Sequence, residues 1–123
     1  MHTKSILLVG LHPDAVDYAK WPELSDEKLK AAFEQVRTEL TTKGFNAHWC
    51  LVGAGPEAND TLADALAKHT PDVVLIGAGV RTDPDHHLLF EQLINTIHAA
   101  APHAKIAFNT KPFDSAEAVA RWT

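Results

Sequence analysis

Short apolar runs alternate with longer amphipathic stretches along this chain. Residues Ser5–Leu11 form a continuous apolar run, the pattern of a strand covered on both faces. A connection over 12–24 follows, holding Pro13 and Pro22. Ser25 then has the features of a helix N-cap, with Asp26 and Glu27 in the first turn, where carboxylates suit the helix dipole. Leu24 and Leu29 are spaced to staple that start. Leu29, Phe33, Val36 and Leu40 fall on one helical face, and Lys43-Gly44 supplies a C-terminal stop.

A second strand is expected over 45–52, closed by Gly53-Ala54-Gly55-Pro56, and a short helix over 59–69 with Leu62, Ala65 and Leu66 inward. Asp72 opens a third strand, Val73-Val74-Leu75-Ile76. The stretch 85–100 is a helix whose Leu89, Phe90, Leu93, Ile94 and Ile97 make a wide apolar arc. A fourth strand is expected over 105–109, where Lys105 suits a sheet edge. Asp114 and Glu117 have capping-box spacing ahead of a last short helix carrying Val119 and Trp122.

Four βα units in succession predict a parallel sheet with right-handed crossovers and helices on both faces. The expected fold is one α/β domain over 1–123, a three-layer αβα sandwich around four parallel strands in the order 2-1-3-4. This arrangement resembles that of flavodoxins and receiver domains, without the usual fifth strand. Their chemistry is missing. A receiver needs an acceptor Asp where this chain has Gly77, and a flavodoxin needs a Ser/Thr-rich phosphate loop where this chain has Leu11-His12-Pro13-Asp14.

In such sheets ligands bind beyond the C-terminal strand ends, where the strand order reverses. For order 2-1-3-4 that point lies between strands one and three. Gly77, Gly79 and Arg81 are therefore expected to hold a small anionic ligand, Arg81 through its planar fork. Asn109 and Thr110 add polar groups from the fourth strand, and His12 and Asp14 are the expected acid/base pair if the chain is an enzyme. The 13-residue connection 12–24 exceeds the roughly 2–6 residues usual for a βα loop, and it carries Lys20 and Trp21 beside His12, Asp14, Asp17 and Tyr18. Gly53-Ala54-Gly55 fits part of a dinucleotide fingerprint, but Pro56 removes an amide that a phosphate would need, so turn glycines are the better reading. Glu91, Asn95 and His98 share a helical stripe, read as a solvated hydrogen-bonded face.

Composition narrows the partners. The chain has 123 residues, 46% of them apolar and 22% charged, as in an ordinary globular domain. A formal charge of −5 is a poor footprint for nucleic acid or an anionic membrane. No apolar run suits a membrane span or a signal peptide, so a cytoplasmic location is expected. The one cysteine, Cys50, lies in an apolar segment and reads as a buried, inert thiol. Eight histidines are an excess. His2, His48, His69 and His103 have plain explanations as terminal, strand and helix-end residues, whereas His12, His86 and His87 map to the strand-end edge. No set has the spacing of a known metal site, and no cofactor is indicated. The second functional reading is a non-catalytic interaction module, whose open sheet edges and apolar faces a homodimer would cover through Phe113, Val119 and Trp122.

Overall fold

The structure, a computed structural model, describes residues 3–123. His2 lies outside the described residues. Four parallel strands, β1 (Ser5–Leu11), β2 (Asn46–Val52), β3 (Val73–Ile76) and β4 (Lys105–Phe108), form one sheet in the order β2-β1-β3-β4. Helices flank it on both faces, giving the three-layer, flavodoxin-like α/β arrangement. Among the described residues no helix is long and apolar enough to cross a membrane.

Side-chain alternation divides the core into two layers. Leu7, Val9, Leu11, Cys50, Val52, Val74 and Ile76 face α2 (Glu57–His69) and α4 (His87–Ala100). Ile6, Leu8, Ala47, Val73, Leu75 and Ala107 face α1 (Asp26–Thr42) and α5 (Ser115–Ala120). Because β1 and β3 are covered on both sides, the period-2 signal is lost and both read as unbroken apolar runs. Cys50 is buried, and burial pushes its thiol pKa up to about 11, so it stays protonated.

The ends of α1 follow local chemistry. The Ser25 hydroxyl accepts a hydrogen bond from the Lys28 amide at 3.1 Å. Gly44 just past the C-terminus adopts φ 93°, a left-handed conformation that glycine takes without a Cβ penalty. Other boundaries moved. The second helix starts at Glu57, two residues early, and the 85–100 helix is divided into a 3-10 turn, Pro84–His86, and α4. The Asp83 carboxylate caps that turn by accepting from the Asp85 amide at 2.9 Å. The expected capping box is absent too. Asp114 turns its carboxylate back to the Thr110 amide at 3.0 Å, the Thr110 hydroxyl and the Lys111 amide, and not onto the start of α5. Burial works to raise the Asp114 pKa, but these hydrogen bonds outweigh it and hold the group below its ordinary value.

At the opposite, N-terminal end of the sheet, His48 of β2 stacks on His69 at the end of α2, ring centroids 4.0 Å apart. Burial, then repulsion from His48 and Lys68, holds His69 below the ordinary imidazole pKa. A depressed folded-state pKa means that the unfolded chain binds protons more readily. This contribution to stability is therefore complete above the ordinary imidazole value, about 6.5, and is lost as pH falls through the folded-state value. Urea midpoints taken between pH 7.5 and 5.5 are expected to fall on acidification, with a shallower fall in His69→Gln. Equal slopes for the two proteins would remove the stacked pair as the cause.

Candidate functional site

The site is built around a residue with no side chain. Gly10 lies near the C-terminal end of β1 on the α1 face, and a Cβ there would come within 3.1 Å of the Trp49 ring. Its absence lets the indole lie against the strand. Trp49 is held by its Nε1, which donates to the Phe33 carbonyl at 2.8 Å, and by the Phe33 ring, 4.5 Å between centroids. Leu24 and Leu29, expected as a staple, line the same space. The result is a cavity of about 310 Å³ at the C-terminal edge, where β1 and β3 part. One wall is apolar, formed by Leu24, Leu29, Phe33 and Trp49. Trp21 from the long β1–α1 connection stands at its mouth, 38% exposed.

The opposite wall is polar. Lys20 Nζ donates to Asp83 Oδ1 at 2.6 Å and to Asp85 Oδ2 at 2.7 Å. These hydrogen bonds, that to Asp83 foremost, raise the lysine pKa above its ordinary value, so Lys20 is an ammonium at neutral pH. The same contact with Lys20 is the main cause that lowers the Asp83 pKa, aided by the Asp85 amide. Asp83 is 8% exposed, and His86 Nε2 lies 3.9 Å from its second oxygen. That separation is too long for a hydrogen bond. His86 also lines the cavity. Among the described residues, no group of three or more His, Cys, Asp or Glu side chains is placed to hold a metal ion.

Of the residues expected from the sequence, Gly77, Gly79 and Asn109 line this cavity, and His12, Asp14, Arg81 and Thr110 do not. His12 uses its Nδ1 to accept from the Asp14 amide at 3.1 Å, capping the turn Pro13–Ala15. Asp14 projects into solvent, its side chain 85% exposed. Thr110 is occupied by Asp114. The loop expected to present Arg81 is instead a single helical turn, α3 (Ala78–Arg81). It carries the guanidinium away from the cavity, to the Asn109 carbonyl at 2.7 Å and over the Phe108 ring at 5.6 Å. Nothing local announces that turn. It forms because Asn109 Oδ1 accepts from the Ala78 amide at 2.8 Å and Val80 is fully buried.

Neither a family model nor a curated protein sequence matches this chain. Lys20, Trp21, Trp49, Asp83, Asp85 and His86 also line the cavity and were not among the site residues expected from the sequence. The length of the 12–24 connection was the available signal for Lys20 and Trp21. For Asp83, Asp85 and His86 the signal was their place after strand three, beside the loop that follows strand one. The Gly53–Gly55 turn and the Glu91, Asn95, His98 stripe stay outside the cavity. The Glu57 carboxylate lies over Gly53 and Gly55, filling the space a phosphate would need at that turn. Glu91 and Asn95 line only a shallow groove with Asn59 and Gln92, away from the sheet edge, while His98 is exposed.

Proposed function

We propose that this chain binds a small organic molecule with a flat apolar body in the cavity between β1 and β3. The observation that carries the reading is the placement of an aromatic-walled cavity at the strand-order reversal, with one polar wall to orient what enters. If the bound molecule is chemically changed, His86 is the lining imidazole placed to exchange a proton with it, with Asp83 3.9 Å away. The acid/base role expected for His12 and Asp14 would require the segment after β1 to rearrange. The test is amide NMR of the full chain with a library of neutral aromatic fragments. Shifts centred on Gly10, Gly77 and Gly79 in wild type, absent in Gly10→Val, support the reading. A library that leaves those amides unmoved removes it.

A second reading, homo-oligomeric interaction, draws support from another region. Phe113 is 60% exposed and Trp122 49%, and β4 is an edge strand. Val119, expected with them, is fully buried in the core and cannot be a contact. Light scattering across a concentration series is expected to show a dimer that Trp122→Ala weakens. A monomer at every concentration would end that reading.

A further inference from the structure

The residues 14–24 cross the mouth of the cavity as a strap. Among the described residues, their hydrogen bonds stay within 12–28, apart from those of the Lys20 ammonium. That ammonium alone reaches across to Asp83 and Asp85, 63 and 65 positions away, and it also lies 5.6 Å from the Trp21 ring centroid. Ala15 and Val16 pack the start of the strap against the core, and beyond them Lys20 is the side chain that ties it to the polar wall. Its anchor includes Asp83, a buried carboxylate that is costly to leave without a cationic partner.

The charge of the wall decides what fits. The polar wall carries the Asp83 and Asp85 carboxylates with the His86 imidazole beside them. Asp17 lines the cavity from the strap, its carboxylate accepting from the Ala19 and Lys20 amides, and Lys20 is the lining ammonium. The guanidinium expected to attract an anion is turned away. An anionic head group would add repulsion to an already acidic wall. A protonated amine would instead be received as Lys20 now is, by two carboxylates, with its apolar body against Phe33 and Trp49. Resting on the ligand-binding reading above, we infer that the site is selective for a cationic amine on an aromatic or apolar body, and that this amine exchanges with Lys20 between Asp83 and Asp85, unlatching the strap. The exchange keeps Asp83 paired throughout. Lys20 acts as an internal competitor for the ligand.

Three probes of similar size separate charge from shape: 2-phenylethylamine, 2-phenylethanol and 3-phenylpropionate. Each is titrated into the full chain while the Gly10, Gly77 and Gly79 amides are followed by NMR. The amine is expected to bind at least fivefold tighter than the alcohol, with the carboxylate weakest. Asp83→Asn should reduce the amine to the level of the alcohol. Asp85→Asn, at an exposed side chain, should weaken it in the same direction and serves if Asp83→Asn folds poorly. Lys20→Met should tighten the amine severalfold and leave the alcohol unchanged. Equal or tighter binding of the carboxylate overturns the inferred charge class while the cavity reading stands. An amine affinity unchanged or weakened in Lys20→Met overturns the exchange. Failure of all three probes to move these amides counts against the cavity reading itself.

Discussion

Asn109→Ala is expected to destabilise the protein by about 2–4 kcal/mol, a large cost for one polar side chain. Asn109 is 4% exposed and ends the β4 segment. Its Oδ1 accepts from the Ala78 amide at 2.8 Å, and its Nδ2 donates to the Ser115 hydroxyl at 2.9 Å. Ser115 in turn donates to the Pro112 carbonyl at 2.6 Å. One amide side chain therefore joins the starts of α3 and α5 across the C-terminal edge. Alanine would leave a backbone N–H without its acceptor and release α3, which frames the cavity. Urea unfolding measures the loss, and hydrogen exchange at Val80 and Arg81 shows whether the turn has opened. Ser115→Ala removes the smaller part of the network and is expected to cost about 1 kcal/mol. Should Asn109→Ala cost no more than an ordinary surface substitution, within about 0.5 kcal/mol, the side chain is not the tie described.

Gly10→Val has the second large effect, on binding above all. The added Cβ meets Trp49 at 3.1 Å, and the branched methyls need space the indole now fills. The ring must move, which breaks the bond from Nε1 to the Phe33 carbonyl and disturbs the Phe33–Trp49 contact. Overpacking of this kind costs roughly 1–3 kcal/mol in stability. Affinity for any fragment that shifts the cavity amides should drop at least tenfold. Gly10→Ala is the graded control, because one methyl at that distance asks for a shift of only a few tenths of an ångström. A Gly10→Val protein that still binds fragments like wild type would place their site somewhere other than against Trp49.

Both expectations depend on residues whose importance a linear reading only half reveals. Asn109 was legible as a polar residue at a strand end, yet its partners, Ala78 and Ser115, belong to two other segments. Arg81 shows the opposite case. Its residue type and position suit an anion site, but burial of Val80 and the Asn109 contact wind its segment into a helical turn that points the guanidinium elsewhere. His12 was satisfied locally, its Nδ1 accepting from the Asp14 amide, and the Asp14 side chain stayed in solvent. Lys20 was visible only as part of a long connection. Its meaning comes from two aspartates more than sixty positions away.

The sequence by itself determined the layers of this protein. Unbroken apolar runs specify strands buried on both faces, helical spacing specifies the amphipathic α1, α2 and α4, and βα alternation specifies a parallel sheet, whose expected order 2-1-3-4 the structure has. These signals are periodic and local, so they survive in one dimension. Only the tertiary structure decided the site. It is a meeting of Gly10, Lys20, Trp49 and Asp83 from four separated segments. Whether a polar side chain reaches that cavity depends on which neighbour satisfies it first, and that competition is settled only when the chain has folded.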